Sequence, residues 1–220
     1  MEKIKVLFAT SNKGKLRELI DIFSEQFSNQ IPSNTSAPFE SIGQAPKDCE
    51  ETGITFLENA HIKCEALTRE FLSQAHQNTT TWIISDDSGL CVDALNGEPG
   101  IHTARYAGDH VEPSAHMKKL LSELQKSGQV RPWKAHYHCA LVLKIIRDHK
   151  VISTFFGEGQ CFGEIVPEAQ GSSGFGYDPV FLFSESGLRF SELPEREKNL
   201  KSHRMAAFVA LKQQIGGRYK

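Results

Sequence analysis

The sequence predicts an α/β protein in which flanking helices cover one elongated, mixed β-sheet. Two observations lead to this prediction. Strand-like and helix-like segments alternate over the first part of the chain, and two strand-like segments follow one another near its middle. In open sheets of this class, ligands bind at the carboxyl ends of the strands, so we expect the functional residues at those ends.

The early elements follow from apolar patterning. Residues 4–9 form a nearly continuous apolar run, and after a polar loop the apolar residues recur at helical spacing from Leu16 to Phe23. Thr55 is a suitable N-cap for a long helix with one apolar face. Residues 82–84 resemble a buried strand, which we expect to end on the polar residues 85–89.

The later elements are less regular. We expect a helix near residues 114–126, strands near 135–146 and 151–160, and a final helix from about Ser202 to Gln214. Residues 28–51 have no sustained period and are rich in Ser, Pro, Asn and acidic residues, which predicts irregular connections with one short strand.

Composition excludes several classes of protein. The 220 residues are 39% hydrophobic and 24% charged, as in ordinary globular proteins, and the net charge of -2 argues against a protein that binds nucleic acid. No run approaches the roughly 18 apolar residues of a membrane span, and the apolar segment near Met1 is too short for a signal peptide. We therefore expect a cytoplasmic protein without membrane contacts. The five cysteines contain no C-x-x-C pair, which favours reduced thiols.

The loop between the first strand and the first helix is a candidate phosphate site. It places hydroxyls and two ammonium groups at a helix N-terminus, where anions are favoured. It is not a Walker A loop, because Ala9 stands where that motif needs Gly and Leu16 where it needs Ser or Thr. A solvated polar turn is the alternative. The candidate residues are Thr10, Ser11, Asn12, Lys13, Gly14 and Lys15.

Two pairs of adjacent carboxylates suggest a metal site. Glu50 and Glu51 precede the long helix, and Asp86 and Asp87 follow the Trp82 strand. Neighbouring carboxylates repel one another unless a cation is close, and Mg²⁺ prefers such oxygen ligands together with substrate phosphates. A solvated surface pair remains the alternative, and it is the simpler explanation for Glu50 and Glu51 considered alone.

Two later segments are candidates for contacts with a nucleotide. Residues 171–181 combine glycines with Phe175 and Tyr177, which suits close backbone approach and stacking on a base. A Gly-rich turn between strands is the alternative. Residues 195–204 gather Lys, His and Arg at the start of the last helix, where cations oppose the helix dipole, with Ser202 as its N-cap. A solvated charged face is the alternative here.

Taken together, five segments resemble the inosine triphosphate pyrophosphatase family, also called the non-canonical purine NTP pyrophosphatases. They occur in the family's order and span roughly residues 5 to 212. The chain departs from the pattern at His102, where many relatives have Tyr, and over residues 28–48. The matching segments are residues 9–18; 50–53 with 56–60; 85–90 with 99–101 and 104–108; 174–179; and 202–204.

The resemblance implies a single domain over residues 1–220, with two lobes around the central sheet, the active site in the cleft between them, and a homodimer. It implies Mg²⁺ bound by Glu50 and Asp87, and phosphates bound by residues 10–15. The substrate contacts that it implies are Ser88, Phe175, Gly176, Tyr177, Asp178, Lys198, His203 and Arg204.

The implied activity is hydrolysis of ITP, dITP or XTP to the monophosphate and pyrophosphate, which removes deaminated purines from the nucleotide pool. Asp87 would orient or deprotonate the water that attacks the α-phosphorus. Lys13 and Lys15 would stabilise the charge of the leaving group. Two other functions stay open: a pyrophosphatase for pyrimidine or modified nucleotides, and a nucleotide-sensing module without turnover.

Overall fold

The computed structural model describes residues 4–27, 39–47, 49–74, 80–109, 111–171 and 176–218. In these ranges the strands are Ile4–Phe8 (β1), Phe39–Gly43 (β2), Thr81–Val92 (β3), Trp133–Arg147 (β4), Lys150–Ile165 (β5) and Phe181–Phe183 (β6). The α-helices are Lys13–Phe27 (α1), Phe56–Leu72 (α2), Pro113–Lys126 (α3), Glu195–Lys201 (α4) and His203–Arg218 (α5).

The strands form a mixed sheet in the order β2-β1-β3-β4-β5-β6. β1 pairs in parallel with β2 and with β3, whereas β5 and β6 are antiparallel. The link from β4 to β5 is a two-residue turn in which Asp148 and His149 have φ of 51° and 57°, as a type I′ hairpin requires. The predicted α/β class with a mixed sheet is confirmed.

The chain divides into two compact units. Unit 1 contains residues 1–87, 140–159 and 204–220, and unit 2 contains residues 88–139 and 160–203. A ligand cleft between two lobes stays a prediction. Within the described ranges, none of the helices combines the length and the apolar character that a membrane span requires.

In unit 1, successive side chains of β3 contact different helices. The Trp82 ring lies 6.0 Å from the Phe23 ring and 5.7 Å from the Phe27 ring, both of which belong to α1. Ser85 instead donates its hydroxyl hydrogen to the Ala60 carbonyl of α2 at 2.6 Å. Over residues 82–87 of β3, the pleat thus directs even-numbered residues towards α1 and odd-numbered residues towards α2.

Helix α2 begins where the sequence predicted. Thr55 accepts a hydrogen bond from the Glu58 amide, and the Glu58 carboxylate accepts from the Thr55 amide, so a capping box fixes the start of the helix. Asn59 and Lys63 follow four residues apart and share one buried face of the helix.

Unit 2 has an aromatic core. The Tyr137 ring of β4 lies 4.7 Å from the Phe181 ring and 5.7 Å from the Phe190 ring. Trp133 is also buried, and its indole NH donates to the Gln129 carbonyl at 2.9 Å. The five cysteines are free, as predicted.

Two predictions about elements were wrong. β3 does not end on residues 85–89 but continues to Val92, because Leu90 and Val92 are fully buried and the polar residues between them and Ile84 find partners inside the protein. The charged residues 195–204 do not all lie at the start of the last helix. The first of these residues form α4, and the hydroxyl of Ser202 donates to the Asn199 carbonyl at the end of that helix.

Gly157 of β5 should be intolerant of a side chain. A Cβ there would meet the Ala207 carbonyl oxygen and lie 2.8 Å from the Leu211 Cβ, and both residues belong to α5. We expect Gly157→Ala to lower the free energy of unfolding by about 1–3 kcal/mol in a urea titration. Gly216→Ala, where a Cβ meets nothing within 4 Å, is the control and should not destabilise. Equal stability of the two variants would contradict this packing.

Candidate active site

Asp86 and Asp87 lie just beyond the parallel pairing of β1 with β3, which ends at the Phe8–Ile84 pair. Both carboxylates are buried. Because neighbouring residues of a strand point to opposite faces, Asp86 is directed towards α1 and Asp87 towards α2. The two acids therefore find different cations, although they are adjacent in the sequence.

Asp86 is paired with two cations. Its Oδ2 lies 2.8 Å from Lys15 Nζ and 3.9 Å from Arg204 Nε, and its side chain is 1% exposed. Burial opposes ionisation of this carboxyl group, but Lys15 and Arg204, with a smaller effect from Lys63, lower its pKa below the ordinary value. Asp86 is thus a buried carboxylate that stays charged.

Arg204, the second residue of α5, is also paired with Glu18 of α1. Its Nη1 lies 2.8 Å from Glu18 Oε2, and the two side chains are 5% and 6% exposed. The sequence predicted Arg204 as a substrate contact. The structure places its guanidinium between Glu18 and Asp86, so at least part of its charge compensates buried carboxylates.

Asp87 contacts two residues of α2. Its Oδ1 accepts from Lys63 Nζ at 3.1 Å, and its Oδ2 accepts from Asn59 Nδ2 at 3.3 Å. Burial raises the pKa of Asp87 above the ordinary carboxyl value, although Lys63 and Lys15 act in the opposite direction. The carboxylate is held in one orientation, and its negative charge is incompletely compensated.

Lys63 joins Asp87 to the acidic pair before α2. Its Nζ lies 3.0 Å from Glu51 Oε1 as well as 3.1 Å from Asp87 Oδ1. Burial favours the neutral amine, but Asp87, Asp86 and Glu51 outweigh it and raise the pKa of Lys63. Glu50, the predicted metal ligand, is the exposed member of the pair.

The loop before α1 is closed by its own asparagine. Asn12 Oδ1 accepts from the amides of Gly14 and Lys15 at 3.0 and 3.1 Å, and Thr10 Oγ1 accepts from the Asn12 amide at 3.2 Å. Ser11 and Lys13 are exposed. Because Asn12 occupies two of the amides at the helix start, an anion here would meet mainly side chains or would have to displace Asn12.

Unit 2 contains a second buried cluster of polar residues. Asp178 Oδ2 lies 3.2 Å from Lys198 Nζ, and Asp178 Oδ1 accepts from the Tyr137 hydroxyl at 3.1 Å. The His203 ring stacks on the Tyr137 ring at 5.0 Å with an interplanar angle of 15°. Tyr137 thus contacts Asp178 and His203 directly, and it is linked to Lys198 through Asp178.

The remaining predicted residues are placed individually. The Tyr177 hydroxyl donates to the Thr103 carbonyl at 3.1 Å, so this buried ring is fixed at both ends. Gly176 has φ of +65°, which a residue with a side chain rarely adopts. Ser88 is half-buried in β3. Phe175 lies outside the described residues.

Sequence reasoning did not select four residues of these clusters as candidates for the site. Asn59 and Lys63 carried a usable signal, since they lie four residues apart on one face of a helix that follows an acidic pair. Glu18 and Tyr137 carried none, because each meets its partner only through the fold. The full set is Glu18, Asn59, Lys63 and Tyr137.

The buried carboxylates beyond the parallel β1–β3 pairing, the lysines that compensate them and the helix N-terminus beside them define an α/β protein with a buried acid–base site. Residues 6–214 match the model of the Ham1 family. The chain belongs to the Ham1 family, and the resemblance that the five sequence segments indicated is confirmed.

Individual relatives agree in length as well as sequence. The dITP/XTP pyrophosphatase of Haemophilus ducreyi is 38% identical over 218 residues, which cover 98% of this chain and 100% of the relative. The dITP/XTP pyrophosphatase of Listeria innocua is 39% identical, and the match covers 96% of this chain and 94% of the relative. Among solved structures, a HAM1 protein from Coxiella burnetii has a TM-score of 0.75 and 30% identity, covering 97% of this chain and 99% of the other. The Staphylococcus aureus Ham1 protein has a TM-score of 0.73 and 34% identity, and the match covers 97% of this chain and 98% of the other.

The Glu18–Arg204 pair should be strongly coupled. We expect Glu18→Leu and Arg204→Met each to lower the free energy of unfolding by about 3–5 kcal/mol, because each leaves a buried charge without its partner. The double variant should lose far less than the sum, as measured in urea titrations.

An exposed pair provides the matched control. Lys201 Nζ lies 3.1 Å from Glu197 Oε1 in α4, and the side chains are 36% and 44% exposed. The same cycle with Lys201→Met and Glu197→Leu should give a coupling of about 0.3–0.5 kcal/mol. Additive losses for Glu18 and Arg204 would show that the buried pair does not act as a unit.

Proposed function

We propose that this chain hydrolyses dITP, ITP and XTP to the nucleoside monophosphate and pyrophosphate, and so removes deaminated purines from the nucleotide pool. The observation that carries the proposal is its end-to-end similarity, at 38% identity, to relatives named dITP/XTP pyrophosphatase. The buried carboxylates at the end of a parallel strand pair support it, since this is where α/β proteins bind ligands.

Asp87 is the proposed catalytic base. Lys63 and Asn59 hold its two oxygens, so the carboxylate is oriented before a water molecule arrives. In the proposed step, Asp87 accepts a proton from the water as its oxygen attacks the α-phosphorus, and the bond from that phosphorus to the pyrophosphate oxygen breaks. Asp86 is kept charged by Lys15 and Arg204, and its place is beside the phosphate loop rather than next to the water.

The donor set fits a magnesium ion. Asp87, Glu50 and Glu51 supply hard carboxylate oxygens, and Lys63 already stands as a cation between Asp87 and Glu51. Among the described residues, no three His, Cys, Asp or Glu side chains come together as a metal site, so the phosphates of the substrate would have to supply further ligands. Glu50 and Asp87 would hold Mg²⁺, which supplies charge neutralisation at the phosphates when bound.

The loop of residues 10–15 is the proposed phosphate contact. Lys13 is exposed and can follow a flexible triphosphate, whereas Lys15 is already paired with Asp86 at 2.8 Å. This difference divides their roles. Lys13, with the Thr10 and Ser11 hydroxyls beside it, is the residue that we expect to stabilise the negative charge of the leaving pyrophosphate. Lys15 instead keeps Asp86 charged next to the loop.

The base contacts are assigned to residues 175–178, Lys198, His203 and Arg204, with Ser88 on the sugar or phosphates. A 6-keto purine presents an oxygen where adenine presents an amino group, so donors such as Lys198 and His203 favour hypoxanthine and xanthine. Guanine shares that oxygen, and its exclusion must depend on the 2-position. Arg204 belongs to this set by resemblance, in addition to its contacts with Glu18 and Asp86.

The wider setting is proposed on the resemblance. We infer that residues 1–220 act as a single domain, that two copies form a homodimer, and that the protein works in the cytoplasm without stable contacts to nucleic acid or membranes. The near-complete coverage of both this chain and its relatives supports the single-domain assignment.

A substrate panel with pyrophosphate detection tests the function. With Mg²⁺ present, dITP, ITP and XTP should each give the monophosphate and pyrophosphate, at rates well above those for ATP, GTP, dTTP and UTP. Release of orthophosphate would refute cleavage at the α-phosphorus. A preference for dTTP or UTP would indicate a pyrimidine pyrophosphatase, and magnesium-independent binding without turnover would indicate a sensing module.

Asp87→Asn tests the proposed base. The amide keeps the shape of the side chain but cannot accept the proton, so we expect kcat for dITP to fall by about 10²- to 10⁴-fold, measured as pyrophosphate release. Asp93→Asn, on an exposed residue of unit 2, is the control and should leave kcat unchanged. Retention of wild-type turnover in Asp87→Asn would remove Asp87 from the mechanism.

A further inference from the structure

Tyr137 connects the polar cluster of unit 2. It lies in β4 with 7% of its surface exposed, and its hydroxyl donates to Asp178 Oδ1 at 3.1 Å. Its ring is nearly parallel to the rings of His203, at 5.0 Å and 15°, and Phe190, at 5.7 Å and 6°. One buried side chain thus fixes a carboxylate with its polar end and an imidazole with its ring.

Each oxygen of the Asp178 carboxylate contacts a side chain of unit 2. Oδ1 accepts from Tyr137, and Oδ2 lies 3.2 Å from Lys198 Nζ. Asp178 and Lys198 are 4% and 9% exposed, so neither can reorient freely in water. The rotamer of Asp178, and through it the position of the Lys198 ammonium, depends on the hydroxyl of Tyr137.

The imidazole of His203 is restrained in a similar way. Its ring stacks on Tyr137, and its Nδ1 lies 3.9 Å from the Cys161 thiol. Stacking fixes the plane of the ring, and the thiol fixes its rotation within that plane. Lys198 and His203 are the two hydrogen-bond donors of unit 2 that the proposed function assigns to the purine base.

We propose that Tyr137 is a positioning residue that sets base selectivity, by holding Asp178, Lys198 and His203 in the arrangement that recognises a 6-keto purine. The inference rests on the proposed function and deepens it. Tyr137 is not a catalytic residue in this account, because its hydroxyl is used on Asp178. It acts on the substrate only through its neighbours.

The chemistry of the phenol suits this role. Burial, together with the adjacent Asp178 carboxylate, raises the pKa of Tyr137 well above its usual value. The hydroxyl therefore remains protonated and remains a donor to Asp178. A phenylalanine would keep the stack with His203 and remove only that hydrogen bond, so the two functions of the side chain can be separated.

The first test is Tyr137→Phe. We expect KM for dITP to rise about tenfold with kcat within about twofold of wild type, because a hydrogen bond to a charged group that orders the pocket is lost. The ratio of kcat/KM for dITP to that for ATP should fall accordingly. Tyr137→Leu, which also removes the stack with His203, should lower the ratio further.

Tyr106→Phe is the matched control. Tyr106 is also a tyrosine of unit 2 whose hydroxyl donates to a carboxylate, Glu98 Oε2 at 3.2 Å, but that carboxylate is not among the proposed base residues. We expect the two phenylalanine variants to lose similar amounts of thermal stability, about 3–10 °C in unfolding midpoint. Only Tyr137→Phe should change the dITP-to-ATP ratio.

A double-mutant cycle with Asp178→Asn decides whether Tyr137 acts through Asp178. In the Asp178→Asn background, Tyr137→Phe should change KM for dITP by less than about twofold, because the restrained carboxylate is already gone. The same tenfold rise in both backgrounds would overturn the proposal, and so would an unchanged dITP-to-ATP ratio in Tyr137→Phe. Wild-type protein that releases no pyrophosphate from dITP would instead overturn the proposed function and the inference together.

Discussion

The alternation of side chains along β3 is the constraint on which the rest of the site depends. Asp86 and Asp87 are consecutive and buried, and two unscreened carboxylates so close would repel strongly. The pleat of the strand separates them, because it directs one towards α1 and the other towards α2. Each then requires its own cation. Lys15 and Arg204 meet Asp86, whereas Lys63 meets Asp87.

Because each carboxylate needs its own cation, ion pairs connect α1, α2 and α5 of unit 1 to β3. Lys15 belongs to α1 and Lys63 to α2, and Arg204 of α5 is held in turn by Glu18 of α1. Breaking one such buried pair leaves a charge without a partner, which is far more costly than losing an exposed pair. Lys63 therefore both contributes to the stability of unit 1 and orients Asp87. Mutational effects on stability and on turnover must accordingly be measured separately at these positions.

The sequence predicted the parts of the site that local patterning determines. Asp87 comes after the apolar run of residues 82–84 and Asn12 after that of residues 4–9, and the helix after Thr55 begins with its capping residues in order. The buried pairs were not predictable in the same way. Lys63 meets Asp87 across 24 residues, Tyr137 meets Asp178 across 41, and Arg204 meets Glu18 across 186. No periodicity specifies such partners, because the register of strands and the packing of helices decide them. The extension of β3 to Val92 was missed for a related reason: polar residues continue a strand when tertiary contacts satisfy them.

The most direct test of the proposed mechanism traces the oxygen atom of the attacking water into the products. Asp87, held by Asn59 and Lys63, is proposed to activate water at the α-phosphorus. When dITP is hydrolysed in water enriched in the heavy oxygen isotope, mass spectrometry should find one labelled oxygen in the nucleoside monophosphate and none in the pyrophosphate. Label in the pyrophosphate would place the attack on the β-phosphorus and would contradict water attack at the α-phosphorus.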